Sequence, residues 1–355
     1  MIQPLTDLPP PDELETAPVL RHLIDAHRHL AELKGVSGTI PNPDILISTL
    51  SLQEAKDSSE IENIFTTQDE LYQADIFAEY IKNPAAKEVK RYATALRRGY
   101  DLMRDDQLIT VNRIVEFHET LMDNDAGIRK LPGTVIKNHA TGEIVYTPPQ
   151  DPTEVEGLLT DLERFVNDET VYSADPLIKM AIVHHQFESI HPFYDGNGRA
   201  GRILNSLYLV ARDLLDQPLL YLSAYIIDTK ADYYRLLQST RDSGDWQPWL
   251  LYMLEGVAQT SKTTIRLIGE IKTLMQDYEE RIRNTLPKIY SHELLTNLFR
   301  HPYTKIEAVQ EDLEVSRLTA SKYLSELTEK GFVEKHRLGK YNYYVNRRLM
   351  NVFST

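Results

Sequence analysis

The fold of this chain is decided by one stretch of twelve residues, His191-Pro192-Phe193-Tyr194-Asp195-Gly196-Asn197-Gly198-Arg199-Ala200-Gly201-Arg202. It combines one imidazole, one carboxylate, three glycines and two arginines. Residues at helical spacing precede and follow it, which predicts a tight loop between two helices. The positions before the loop are Leu177, Ala181, His184 and Phe187, and those after it are Ile203, Leu207, Val210 and Leu214.

The glycines of this loop predict an anion site. Gly196, Asn197 and Gly198 lie just before the second helix, where backbone N–H groups can line one concavity and the helix start favours negative charge. Arg199 and Arg202, in the next turn, carry guanidinium groups suited to phosphate oxygens. The alternative is a glycine-rich turn with an ordinary surface ion pair. The complete stretch favours a polyphosphate cradle.

The same loop contains two groups that suit a reaction. His191 titrates near neutral pH and can take a proton from an attacking hydroxyl. Asp195 is an oxygen ligand of the kind that binds Mg²⁺ bridging phosphates. The loop is therefore a candidate reaction site as well as an anion site.

The stretch resembles the Fic-family signature His-x-Phe-x-Asp/Glu-Gly-Asn-Gly-Arg-x-x-Arg at every specified position. The resemblance implies a mostly helical enzyme that transfers AMP from ATP to a Tyr, Thr or Ser hydroxyl of a target protein or of itself, with release of pyrophosphate. It implies that His191 is catalytic and that Asp195 holds Mg²⁺. It implies ATP binding by Gly196, Asn197, Gly198, Arg199, Ala200, Gly201 and Arg202.

A second motif is Ser58-Ser59-Glu60-Ile61-Glu62-Asn63. Alone it is a polar helix end, where a glutamate is usually solvated. Its form, Ser/Thr-x-x-x-Glu-Gly/Asn, resembles the inhibitory helix of Fic proteins, which assigns Ser58, Glu62 and Asn63 to inhibition. The resemblance implies that Glu62 pairs with Arg202 and occupies the donor fork that would hold the ATP γ-phosphate.

Residues 134–146 predict a β-hairpin in an otherwise helical chain. The strands are Thr134, Val135, Ile136 and Lys137, and then residues 143–146, around a turn with Asn138 and Gly142. Two strands alone are marginally stable, so the hairpin is either a surface ornament or functional. The resemblance implies a flap that covers the site and docks the target by main-chain pairing.

Several aromatic and imidazole side chains need an assignment. His118 lies among apolar positions and is expected to be a core residue. His184 and His185 are adjacent, so they do not share a helix face and are expected to pack rather than to bind metal. Tyr233 and Tyr234 form an adjacent pair of tyrosines, and such aromatic residues are usually core. The resemblance implies that the first tyrosine of this pair, Tyr233, lies near the nucleotide.

The C-terminal residues predict a winged helix-turn-helix. Helices over 304–313 and 317–330 are followed by strands over 332–336 and 341–345, with Leu318, Leu324 and Leu327 expected to face inward. From Thr285 onward, the sequence contains eleven Lys and Arg residues and eight Asp and Glu residues, so this region is slightly basic. DNA binding is therefore open, with Arg317, Lys322 and Lys340 among the candidates, but the positive charge is small and such domains also bind proteins.

Composition limits the class of protein. The 355 residues are 42% hydrophobic with a net charge of −14, which argues against a general nucleic-acid-coating protein. The chain contains no cysteine and no apolar run long enough for a membrane span, so a cytoplasmic protein without membrane contact is expected.

The predicted fold class is mostly α, a Fic-type helical core with a β-hairpin flap plus a C-terminal winged helix-turn-helix. The predicted domains are an N-terminal helical region with a proline-rich leader (1–110), a catalytic core (111–260), a helical linker (261–286) and the winged helix (287–355). A homodimer is left open. The alternatives are transfer of UMP, phosphocholine or phosphate, removal of AMP, or a nucleotide-sensing DNA-binding regulator with weak catalysis.

Overall fold

The computed structural model describes residues 5, 8–10, 13–40, 43–76, 83–137, 141–339 and 341–353. Asn138 of the predicted hairpin turn and Lys340 of the predicted wing lie outside these ranges. The described part is mostly helical. In chain order its elements are α1 (Ala17–Ser37), α2 (Pro43–Ile61), α3 (Gln68–Ile76), α4 (Pro84–Met103), α5 (Val111–Met122), β1 (Ile136–Lys137), β2 (Ile144–Tyr146), α6 (Pro152–Asn167), α7 (Pro176–Ile190), α8 (Asn197–Ala211), α9 (Leu222–Asp228), α10 (Lys230–Ser243), α11 (Gln247–Thr285), α12 (His292–Arg300), β3 (Tyr303–Thr304), α13 (Ile306–Asp312), α14 (Arg317–Glu329), β4 (Glu334–Leu338), β5 (Tyr341–Val345) and α15 (Arg347–Val352).

Helix starts follow local sequence signals. Asp151 caps α6 and Asp175 caps α7, each through a side-chain oxygen that accepts a backbone N–H, and each is followed by a proline. Proline suits the first turn because its missing N–H has no partner there in any helix. Helices α6 and α7 therefore begin at Pro152 and Pro176 for a local sequence reason.

Helices α7 and α8 form the centre of the core. Every residue from Leu177 to Ile190 is buried, which is the pattern of a helix surrounded by others. Most of α8 is buried too. The indole of Trp249, in α11, donates to the Ala181 carbonyl at 2.9 Å and fixes α11 against α7. The signature loop therefore connects the two most enclosed helices.

The N- and C-terminal regions pack on this core. Leu8 and Leu14, in the proline-rich leader, are buried. The 39-residue helix α11 packs along α1 and continues to the C-terminal region. The predicted boundary between residues 260 and 261 lies inside this single helix.

The C-terminal elements from α12 to β5 have the order of a winged helix-turn-helix. Their sheet has the strand order β3-β5-β4, and β4 pairs antiparallel with β5 from Glu334 opposite Val345 to Leu338 opposite Tyr341. Leu324 and Leu327 are buried as expected, but Leu318 is 84% exposed, so its inward placement was wrong. The buried face of α14 runs through Ala320, Leu324 and Leu327, and Leu318 lies two residues off that spacing.

Within the described ranges, none of the helices combines the length and the apolar character that crossing a membrane requires.

Candidate active site

The signature loop begins and ends in left-handed backbone. His191 ends α7 with φ 50° and ψ 60°, and Gly196 precedes α8 with φ 76°. The Asn197 side chain closes the loop, because its Oδ1 accepts the Phe193 N–H at 2.9 Å and its Nδ2 donates to the Phe193 carbonyl at 2.9 Å. The tight turn between two helices is confirmed.

Helix α5 supports this loop from behind. The His118 ring stacks on Phe193 at 3.6 Å between centroids, and its Nε2 donates to the Asp195 carbonyl at 2.8 Å. A Cβ at Gly196 would lie 2.6 Å from the Met122 sulfur, so glycine is required there by space as well as by φ. His118 is a packed residue, as expected, and it fixes the carbonyl beside the site.

Arg129 holds the other side of the loop. Its Nε donates to the His191 carbonyl at 2.8 Å, and its Nη2 donates to the carbonyls of Ile190 and Pro149. Its own backbone N–H donates to the Pro192 carbonyl at 2.9 Å. No sequence motif pointed to this buried arginine, which precedes the hairpin in the chain.

The His191 imidazole is held in its neutral form. Burial lowers the pKa of His191 to about 4, and the charges of Arg241 and Arg129 add to this effect, while the Glu62 carboxylate opposes it. A neutral imidazole at pH 7 can accept a proton, which is what a general base requires.

Asp195 is exposed, and its Oδ1 accepts the Gly196 N–H at 2.7 Å. No group of three or more His, Cys, Asp or Glu suited to a metal occurs among the described residues. One exposed carboxylate still fits Mg²⁺, which usually binds through one or two carboxylates together with substrate phosphates and water.

Glu62 lies on the anion cradle. Its Oε1 accepts from Arg202 Nη2 at 2.7 Å, while Arg202 Nε donates to Ser58 Oγ at 2.8 Å and Nη2 to the Ser58 carbonyl at 2.9 Å. A Cβ at Gly198 would lie 2.3 Å from Glu62 Oε1, so the carboxylate touches the first turn of α8. Burial alone would raise the pKa of Glu62, but Arg202 lowers it, and both groups are charged.

The hairpin reaches the same site. Strands β1 and β2 pair antiparallel, with Lys137 opposite Ile144 and an irregularity before it. The Tyr146 hydroxyl donates to the Ser189 carbonyl at 3.0 Å, two residues before His191. Of the predicted flap residues, Ile136 and Lys137 are in the strand, whereas Thr134 and Val135 precede it.

Three family models match the chain. The Fic/DOC family N-terminal model matches residues 20–101, the Fic/DOC family model matches residues 108–209, and the model of the C-terminal domain of SoFic-like protein adenylyltransferases matches residues 274–349. The chain belongs to the Fic/DOC family.

Curated relatives of this Fic protein carry the name protein adenylyltransferase. The fic-1 protein of Caenorhabditis elegans is 29% identical over 177 residues, and that of Caenorhabditis briggsae is 32% identical over 178 residues. Each match covers 48% of this chain and 31% of the relative. The Fic protein of Drosophila erecta is 25% identical over 152 residues, 43% of this chain and 28% of the relative. The matches thus span less than a third of the relatives' length.

Solved structures share the fold. A Fic family protein from Desulfovibrio desulfuricans superposes with a TM-score of 0.59 at 21% identity, covering 95% of this chain and 98% of that one. Fic-1 from C. elegans superposes with a TM-score of 0.55 at 22% identity, covering 72% of this chain and 74% of that one.

Three of the predicted ATP-binding residues of this Fic protein are buried against other parts of the protein. Arg199 is buried, and its Nη1 donates to Glu88 Oε1 on α4 at 2.5 Å. Gly201 faces α7, because a Cβ there would lie 2.7 Å from Glu188 Oε1 and 3.4 Å from His184. Ala200 is fully buried.

The two adjacent tyrosines, Tyr233 and Tyr234, differ in their exposure to solvent. Tyr233 is buried, and its hydroxyl bonds His184 Nε2 at 2.8 Å, whereas Tyr234 is 45% exposed. His185 Nε2 bonds the Leu237 carbonyl at 3.2 Å, so both histidines pack as expected. Asn63 has φ 62°, and its Oδ1 accepts from Lys230 Nζ at 3.3 Å, which connects the motif at 58–63 to α10.

Proposed function

We propose that this Fic protein transfers AMP from ATP to a Tyr, Thr or Ser hydroxyl of a target protein or of itself, and that Glu62 inhibits this transfer. The observation that carries the proposal is the Glu62 carboxylate on Arg202 and Gly198. An anion already lies at the helix start where phosphates would bind. The names of the curated relatives support the same activity.

In the proposed reaction the target hydroxyl gives its proton to His191 and its oxygen forms a bond to the α-phosphorus. The bond from that phosphorus to the bridging oxygen breaks, and pyrophosphate leaves. The N–H groups at the start of α8 bind phosphate oxygens, and Arg202 binds the γ-phosphate once Glu62 has left it. Asp195 would hold Mg²⁺, which when bound neutralises phosphate charge.

The flap would supply main-chain groups of β1 to an extended target segment. Tyr233 remains a proposed nucleotide contact through its ring, since His184 occupies its hydroxyl. A cytoplasmic location stays a prediction from the sequence alone, and a homodimer and DNA binding by the winged helix stay open.

The test is incubation with Mg²⁺ and ATP labelled at the α-phosphate, and separately at the γ-phosphate. The proteins are wild type, Glu62→Gly, His191→Ala and the control Glu60→Gly, whose glutamate pairs with Lys56 at 3.4 Å away from Arg202. We expect label from the α-phosphate alone, raised roughly tenfold or more in Glu62→Gly, which corresponds to losing about 1.4 kcal/mol of competition. His191→Ala should bind ATP without transfer.

Other outcomes have distinct meanings. Label from the γ-phosphate would indicate phosphate transfer instead of AMP transfer. Equal label in Glu62→Gly and wild type would contradict inhibition by Glu62. Loss of ATP binding in His191→Ala would mean that His191 shapes the pocket and does not act as the base. No label from either position, with ATP bound, would favour a nucleotide-sensing role that involves the winged helix.

A further inference from the structure

Arg241, on α10, is a partly buried cation beside the site. Among the described residues no carboxylate forms an ion pair with it. Its Nε donates to Ser189 Oγ at 2.8 Å, its Nη1 donates to Gln238 Oε1 at 3.4 Å, and its guanidinium lies 4.2 Å from the centre of the Tyr146 ring. A cation removed from water without an anion partner is costly, so its retention here needs an explanation.

These contacts join three elements. Tyr146 is the last residue of β2 in the flap, and its hydroxyl donates to the carbonyl of Ser189, near the end of α7. Arg241 therefore contacts both partners of this hydrogen bond. Its guanidinium lies on the Tyr146 ring, and its Nε donates to the Ser189 side chain. A guanidinium stacked on an aromatic ring is attracted by the ring face and has one preferred plane.

Three charged side chains act on the His191 imidazole, and each comes from a different segment. Arg241 acts from α10, Arg129 from the segment before β1, and Glu62 from the end of α2. Glu188, on α7, is buried, and burial raises its pKa to about 7. The Arg129 guanidinium donates its hydrogen bonds to backbone carbonyls of the loop, whereas the hydrogen bonds of Arg241 go to side chains.

We propose that Arg241 is a positioning residue with two separable roles: its planar guanidinium holds the flap to the end of α7 through Tyr146, and its charge, held at Ser189 two residues before His191, makes protonation of the His191 imidazole less favourable. The assignment rests on the proposed function, because it takes His191 as the base. It adds a residue of α10 that belongs to neither the signature loop nor the inhibitory motif.

The charge role is tested by NMR titration of the His191 ring without nucleotide, with the resonance identified by its loss in His191→Ala. We expect Arg241→Gln to raise the His191 pKa by about half a unit or more, since a nearby positive charge is removed. Arg241→Lys should leave it near the wild-type value because the charge remains. The control is Arg235→Gln, an exposed arginine of the same helix that pairs with Asp232 at 2.8 Å. An unshifted titration in Arg241→Gln would overturn this role.

The flap role is tested by hydrogen exchange over residues 141–147. Arg241→Lys keeps the charge but loses the planar stacking, and Tyr146→Leu removes the ring. Both should raise flap exchange severalfold, because each removes one side of the contact that holds the flap to the end of α7. A flap exchange rate in Arg241→Lys equal to that of the wild type would overturn the role of Arg241 in holding the flap. Both readouts are independent of transfer, so a protein that shows these shifts but no AMP label would refute the proposed activity and leave the placement of Arg241 standing.

Discussion

Arg202 is the side chain on which the state of this site depends. Its guanidinium is buried and donates hydrogen bonds to Glu62 and Ser58, which both belong to the motif at 58–63. A buried guanidinium must be paired, because leaving it unpaired costs several kcal/mol. In the proposed function, the γ-phosphate would take the place of Glu62 on Arg202, so the two anions would compete for one guanidinium.

Ser58 and Ser59 offer a matched test at the residue scale. Both are buried, but Ser58 Oγ accepts from Arg202 while Ser59 Oγ has no partner among the described residues. We expect Ser58→Ala to destabilise the fold by about 1–3 kcal/mol and to raise transfer less than Glu62→Gly does. Ser59→Ala should change neither. Thermal unfolding and the α-phosphate label measure both, and equal behaviour of the two variants would contradict a role for Ser58 in holding Arg202.

Gly201 supports a second residue-scale prediction. A methyl group there would meet Glu188 Oε1 at 2.7 Å and Phe187 at 3.3 Å, between two buried helices. Gly201→Ala should lower the free energy of unfolding by about 1–3 kcal/mol. Gly157→Ala, at a position in α6 with nothing within 4 Å, should raise it by up to about 1 kcal/mol. Denaturant melts compare the two, and a neutral Gly201→Ala would show that Glu188 moves aside easily.

At the scale of one element, α2 carries a buried carboxyl group two turns before Glu62. Glu54 Oε1 accepts from Ser223 Oγ at 2.5 Å and from the Tyr92 hydroxyl at 3.0 Å, which fixes α2 between α4 and α9. Burial raises the pKa of Glu54 to about 8, and Ser223 opposes this shift by hydrogen bonding to the carboxylate. The helix that immediately precedes Glu62 therefore contains its own titratable group.

The pH dependence of α2 follows from this shift. Because the folded pKa exceeds the unfolded value of 4.5, the Glu54 contribution to stability is complete below pH 4.5 and is lost as pH rises toward 8. Glu54→Gln removes this loss. The melting temperature of the variant relative to wild type should therefore rise between pH 5 and 8, by an equivalent of a few kcal/mol at most. Glu60→Gln, on the same helix, is the control, and a difference that does not vary with pH would contradict the prediction.

At the scale of the whole molecule, the C-terminal region packs against the helices on either side of Glu62. The Tyr72 ring, on α3, stacks on Tyr303 at 5.4 Å between centroids and meets His301 edge-on at 4.8 Å. Gln68 Nε2 donates to Gln53 Oε1 of α2 at 2.9 Å and to the Phe353 carbonyl at 2.7 Å. The C-terminal region thus contacts both helices that flank Glu62 in the chain.

Together with the proposed inhibition by Glu62, these contacts predict that the C-terminal region stabilises the arrangement in which Glu62 lies on Arg202. Gln68→Ala removes one bridge from Phe353 to α2, so α2 should open more often, with exchange at its end raised about threefold to tenfold. Transfer should rise by a similar factor. Gln259→Ala, on α11, removes a hydrogen bond to Glu255 away from this contact and is the control. Faster exchange with unchanged transfer would show that this packing does not limit activity.

The sequence by itself determined the elements and the loop. Periodicity, prolines at helix starts and the glycine pattern act within a few residues of the chain, so the turn at 191–202, the hairpin and the winged helix follow from local sequence. The pairing of Glu62 with Arg202, 140 positions apart in the chain, was expected only because both motifs resemble one family.

Only the tertiary structure decided which side chains meet across elements. Arg129 on the carbonyls of the loop, Glu88 on Arg199 and Arg241 on the flap belong to no local pattern, because each contact joins segments that are brought together by packing. The exposure of Leu318 was also misjudged, since a two-residue offset on a helix moves a side chain to another face. Local sequence sets backbone geometry, whereas the pairing and pKa of buried charges depend on what the folded core places around them.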